Sequence, residues 1–264
     1  MTYLSSLEMP NRRYGLGQVV RAEVTKIASL RSTLWTLLIT TFGTLGVTVL
    51  ATHGLGHHKA QFYRGFDPTN QSFTGLALGT LAIGVFGVLS VTGEYASGTI
   101  RSSLSAAPRR PLLLFGKVLV VGSIALAVGE ALAFACFGLG MAVLHAGGAP
   151  SAALSQPGVL RAVTLSGAFL ALLGLTGLGL GVIIRHTAGA IAAYVGVTFL
   201  LPVLLQHIPG TPSRYTPVGI LANSVSTVVR QSDQVSAPVG FLLMVLYTIV
   251  VLGIGAALLS RRDA

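Results

Sequence analysis

Across 264 residues, 52% are hydrophobic, only 9% are charged, and the mean hydropathy is +0.78. A soluble domain carries roughly a quarter charged residues, so composition excludes a soluble globular fold. The net charge of +10 would point to nucleic acid in a soluble chain. Here the bases flank apolar runs, the pattern that orients a membrane protein, and no nucleic-acid partner is expected.

Residues 1–33 are polar and basic, and the first apolar run begins near Leu34. That is too far in for a cleaved leader, so the first span is expected to stay as an anchor. Within this stretch, residues 16–33 read as an amphipathic helix. Val20, Val24 and Ile27 recur at helical spacing, while Gln18, Arg21, Thr25 and Ser32 fall on another face. Such a helix lies along the inner membrane surface with its bases near lipid phosphates; the plainer alternative is a first span extended into water.

Crossing a hydrocarbon core takes ~20 apolar residues. Six segments qualify, at about 34–52, 73–92, 118–145, 163–184, 188–206 and 238–259. The third is longer than needed and should tilt or project from the bilayer. The fourth and fifth are separated only by Arg185, His186 and Thr187, so they should form a tight helical hairpin. With an even number of spans, both termini share one side. That side carries twelve Lys and Arg, against five on the other. The positive-inside rule therefore places both termini in the cytoplasm.

The outer loops come next. Residues 53–72 are polar and include His53, His57 and His58. Histidine is a common zinc ligand, but no Cys accompanies these and the first acid is Asp67, so no metal is expected. Residues 147–160 are short and rich in Gly, Ala, Ser and Pro. In 207–237, Thr216–Arg230 reads as a helix with Pro217 in its first turn.

Within the spans, Gly75-x-x-x-Gly79 and Gly177-x-x-x-Gly181 allow close helix approach. Cys136 stands alone, which excludes an intrachain disulfide, and it reads as a small buried hydrophobe. Glu130 is the one acid deep in a span. It could line a substrate path or carry a proton. The plainer alternatives are a neutral acid bonded to a nearby hydroxyl and a group facing a partner at a dimer seam.

No catalytic signature is present: neither Gly-x-Ser-x-Gly nor His-Glu-x-x-His occurs. Nor is there a Gly-x-x-x-x-Gly-Lys-Ser/Thr phosphate loop, so ATP-driven work would need another subunit. No cofactor is expected.

One polar interruption remains, SVTGEYASGTIRSSLSAAPRRPLLLFGK, between Ser90 and Lys117. Glu94 is expected in the first turn of a short helix, where a carboxylate suits the positive end of the helix dipole. Ala96 to Leu104 would continue that helix and Pro108 end it. It could be a docking knob, or a solvated turn whose bases only set topology.

RAEVTKIASLRSTLW at 21–35, GEYASGTIRSSLSAAPRR at 93–110 and LGLGVIIRHTAGAIAAYVGVTFLLPVLL at 178–205 together resemble the permease subunits of ATP-binding-cassette exporters. The likeness is to the type-two permease family in its short six-span form. It covers nearly the whole chain in order, although each motif alone carries little information.

The resemblance implies an all-α polytopic membrane protein with six transmembrane helices, a single permease domain over 1–264. Residues 16–33 would be an interfacial helix, 93–110 a cytoplasmic coupling loop and 207–237 an outer-loop helix. It implies that a coupling helix over Glu94–Ser105 docks into a separate ATPase subunit through Glu94, Tyr95, Thr99 and Arg101. It also implies pairing with a second permease half, identical or not, and export of an apolar or amphipathic substrate across the cell membrane. The first outer loop departs from larger members by leaving no room for an extracellular binding domain. The alternatives are an ion-coupled carrier using Glu130 and a non-transport scaffold.

Overall fold

The computed structural model describes residues 15–29, 31–56, 66–100, 110–208, 212–227 and 235–261. Among them every α or other regular element is helical. In chain order these are α1 (Leu16–Ser29), α2 (Arg31–Gly56), α3 (Pro68–Ser72), α4 (Leu76–Ser97), α5 (Arg110–Ala146) and α6 (Val159–Ile184). There follow α7 (Thr187–Val195), a π-helical turn (Gly196–Leu200), α8 (Leu201–Leu205), α9 (Pro217–Val225) and α10 (Ala237–Arg261). Six stretches are long and apolar enough to cross a membrane: Trp35–Leu55, Leu76–Ser97, Arg110–Ala146, Val159–Ile184, Thr187–Leu205 and Ala237–Arg261.

The third span departs most from expectation. It starts at Arg110 and runs 37 residues, ~55 Å at 1.5 Å per residue, well beyond the ~30 Å core. Pro111 lies at its second position, where a missing N–H costs nothing, no further proline interrupts the helix, and the chain leaves it at Gly147 and Gly148, the latter at φ 73°. Over the expected 16–33, the described helical residues are Leu16–Ser29 of α1 and the first residues of α2 from Arg31.

The centre of the bundle is α6, 67% buried over its most apolar stretch against 22% for the first and sixth spans and 17% for the fifth. It packs on α4, α5 and α10. Glycine explains how closely. A Cβ on Gly87 would fall on the Gly174 carbonyl, and one on Gly177 on the Gly84 carbonyl, so α4 and α6 meet backbone to backbone. Gly181 of α6 lies against Val88 and Val91 of α4. Gly75 abuts Thr44 and Thr48 of α2, whereas Gly79 has only ordinary contact with Thr44. These are contacts within one chain. Tyr194 of α7 is fully buried over Gly84 and donates from its hydroxyl to the Thr80 carbonyl at 2.8 Å.

The inner face of α2 carries Thr40, Thr44, Thr48 and Thr52, all buried. Thr40, Thr48 and Thr52 donate to the carbonyls four residues back, at 2.6, 3.0 and 2.8 Å, which satisfies hydroxyls that lipid could not. Thr48 also approaches Cys136 Sγ at 3.4 Å, and that cysteine is wholly buried.

At the end of the bundle where α4 begins, Asp67 joins two connections. Its carboxylate caps α3 by accepting from Thr69 N (3.0 Å) and Asn70 N (3.2 Å). It also accepts from Thr227 N (2.6 Å), Thr227 Oγ1 (3.0 Å) and Ser226 Oγ (3.3 Å). The helix expected over Thr216–Arg230 therefore stops at Val225. Ser226 is extended, and the residue after it is held by Asp67.

Candidate functional site

The expectations about chemistry converge where α1, the end of α4 and the start of α5 meet. Val20, Val24 and Ile27 form the apolar repeat of α1 that is expected to face the membrane surface. The face turned into the bundle carries Val19, 1% exposed, and Glu23, 3% exposed, with Ile27 packed against the core beside them, while Val24, 48% exposed, faces out. Val19 packs against Leu113 and over Gly116 of α5. An acid one turn on from a buried valine would be costly without a counter-charge. Lys117 of α5 supplies it.

Lys117 Nζ donates to Glu23 Oε2 at 2.7 Å, to Glu94 Oε1 at 2.5 Å and to the Ser90 carbonyl at 3.4 Å. Lys26 Nζ donates to Glu23 Oε1 at 2.8 Å and Glu94 Oε1 at 3.0 Å. Two carboxylates and two ammonium groups thus close a neutral ring between three helices. The Lys117 and Glu23 side chains are 3% and 4% exposed, against 38% for Lys26. Burial alone would lower the pKa of Lys26, and it is the largest single influence. The hydrogen bonds and charges of Glu23 and Glu94 together outweigh it, so the value is raised above that of an ordinary lysine.

Glu94 accordingly sits elsewhere than expected. It belongs to the last turn of α4, not the first turn of a separate helix, and its carboxylate points into the ring. At a helix C-terminus the dipole disfavours an anion; the two lysines offset this. Gly98 then ends α4 in the left-handed region (φ 72°), its N–H bonded to the Tyr95 carbonyl, and Thr99 and Ile100 are helical again. So the chain turns sharply just past the ring.

Tyr95 lies under the Arg185 guanidinium, 5.4 Å from its ring centre. Thr99 is exposed and shares a hydrogen bond with Ser97 at 2.8 Å. Arg101 and Arg109 lie outside the described residues, as does the expected helical continuation to Leu104.

Arg110 does more than flank a span. Its guanidinium donates to the Leu259 carbonyl at 3.0 Å, and Arg185 reaches the Leu258 carbonyl at 3.5 Å. Both occupy carbonyls that the end of α10 leaves open, where cations are favoured. Arg185 also ends α6 in a left-handed conformation (φ 60°), and His186 caps α7 by accepting from Gly189 N at 3.3 Å. Two residues thus make the tight hairpin.

Glu130 stands apart, half-buried on the seam of α5 and α6 against the Gly167 backbone. It has no hydrogen-bond partner among the described residues. No group of three or more metal-ligating side chains occurs among the described residues either.

Sequence reasoning missed Glu23, Lys26 and Lys117 as one cluster with Glu94. The signal available was an acid inside the amphipathic helix and a lysine inside an apolar run.

Six apolar helices of spanning length around a glycine-lined centre make this a multi-pass membrane protein. It belongs to the ABC-2 transporter family: residues 19–264 match the family described as ABC-2 family transporter protein. Permeases of this family generally work with an ATP-binding subunit. A search of curated proteins finds no match to the chain.

Proposed function

We propose that the chain is the membrane-spanning subunit of an ATP-driven exporter, with both termini in the cytoplasm and ATP hydrolysed by a separate subunit. The coupling segment is 93–110, with α1 as an interfacial helix beside it. Thr99 and Arg101 contact the ATPase subunit, while Glu94 and Tyr95 hold the root of the loop in place. A second permease half completes the path for an apolar or amphipathic substrate.

The observation that carries this reading is the charged ring. It fastens the interfacial helix to the two spans on either side of the loop, so a push on the loop moves three helices together. That is what a rigid-body change between two packed states requires. The central α6, in backbone contact with α4, carries the displacement into the bundle.

Transport measured in vesicles tests it. The reading expects efflux of an amphipathic dye only when the ATPase subunit and ATP are both present, and its loss on Arg101→Glu. A carrier coupled to an ion gradient through Glu130 would instead move substrate without ATP and fail on Glu130→Gln.

A further inference from the structure

Among the described residues, Glu23 and Glu94 are held by two lysines in the ring. Asp67 is held by backbone and hydroxyl donors from both connections it joins. Glu130 has no such partner, yet it lies deepest in a span. It follows Lys117 by thirteen residues on α5, ~20 Å along the helix and well inside a core of ~30 Å.

Its surroundings are open on one side. Gly167 of α6 leaves the room that Glu130 occupies, because a Cβ there would strike the Glu130 carboxyl carbon. Beside it the seam is closed, with Gly129 against the Gly167 carbonyl and Leu170. Away from α6, Leu126 and Phe134 are 43% and 39% exposed. They stand four residues before and after Glu130, on its face of the helix. The seam thus offers the membrane a carboxylate between two apolar side chains.

An ionised carboxylate in hydrocarbon needs a counter-charge, and the chain places none at this depth. No Lys or Arg falls between Lys117, committed to the ring, and Arg161, in the first turn of α6. The other spans carry no Lys or Arg except Arg261 at the end of α10. A second copy would bring the same spans, and so no base at this level. The cation for Glu130 therefore comes from a ligand, one with an apolar body that can enter the seam.

We propose that the α5–α6 seam at Glu130 binds lipophilic cations, the carboxylate taking the positive group while Leu126 and Phe134 take the apolar body. The site rests on the exporter reading above and narrows its amphipathic substrate to a cationic one.

Equilibrium dialysis of the purified full chain, in neutral detergent, against tetraphenylphosphonium and tetraphenylborate compares two probes of one shape and opposite charge. The chain's net charge of +10 favours the borate elsewhere, so a phosphonium preference is specific. Wild type should retain the phosphonium preferentially. Glu130→Gln should weaken its binding about tenfold, ~1.4 kcal/mol, without weakening the borate. Glu130→Asp should keep part of the preference. Removing an acid without a partner breaks no native contact, so Glu130→Gln should melt as wild type does, which separates lost binding from lost fold.

Equal retention of the two probes, or a Glu130→Gln variant that binds phosphonium like wild type, overturns the site. So does a Glu130→Gln variant that dissociates on size exclusion yet keeps its phosphonium, since Glu130 would then serve a seam between copies. The dialysis needs neither ATP nor a second subunit, so it is independent of the transport test. ATP-driven efflux with no phosphonium preference sinks the site alone; phosphonium preference with efflux that ignores ATP sinks the exporter reading and leaves the site.

Discussion

Lys117→Met removes the ring's most buried charge and keeps most of the side chain's bulk. Glu23 Oε2 and Glu94 Oε1 then lose donors at 2.7 and 2.5 Å, and Lys26 alone must neutralise two acids. At an effective dielectric of about 20, each lost contact is worth ~6 kcal/mol of gross attraction. Most of that is offset by the cost of having buried the charges. Breaking a buried pair from one side nets ~3–5 kcal/mol, because the surviving charge stays buried without its partner. For a chain of this size that corresponds to a melting point lower by roughly 10 °C.

Lys26→Met should be far milder, ~1 kcal/mol or less, since water already screens a group 38% exposed. The pair Glu23→Gln with Lys117→Met should recover part of the loss, because it no longer strands a carboxylate. Thermal melts of the purified variants in detergent, followed by intrinsic fluorescence, decide the matter. Should Lys117→Met melt within about 2 °C of wild type, or the double variant lose the sum of the singles, the ring is not a coupled buried network.

Other consequences can be checked in the same preparations. Gly87→Val places a side chain on the Gly174 carbonyl and should prevent α4 from seating on α6; monodisperse yield on size exclusion should collapse, whereas Gly93→Val, with open space around it, should behave as wild type. Asp67→Ala strands the Thr227 and Thr69 N–H groups and should cost ~1–3 kcal/mol, read as a lower melting point and faster proteolysis after residue 208. Gly98→Ala forces an alanine to φ 72°, at ~1–2 kcal/mol, and should reduce ATP-driven transport more than stability. Lys26 has its folded pKa raised above 10.5. Its contribution to stability is therefore complete below pH 10.5 and lost as the pH climbs through the folded value, so melting should not respond to Lys26→Met differently at pH 7 and pH 9.

The spans were legible because hydropathy is a local property: Leu76 and Ile184 could be placed within a few residues from composition alone. Helix ends were less so. A hydropathy window stops at Lys117, yet α5 continues back to Arg110, since two distant acids neutralise that lysine and Pro111 is harmless in a first turn. The face of α1 that enters the bundle was not legible for the same reason. Apolar spacing selects Val20, Val24 and Ile27, but Glu23 is drawn in by a partner that lies far along the chain. Close glycine contacts were visible only where they fell four apart; Gly84, Gly87 and Gly174 gave no such pattern. The threonines at 40, 44, 48 and 52 did repeat, and a search for polar residues at four-residue spacing would have found the inner face of α2.

The most direct test of the central claim is recovery of the tagged full chain together with the ATPase subunit that serves it. The account predicts that a subunit bearing a phosphate-loop motif copurifies with wild type. It should be lost when Thr99→Arg is combined with Arg101→Glu, while the permease itself still folds and melts normally. Substrate movement by the permease alone, in vesicles without ATP and with no such subunit bound, would contradict it.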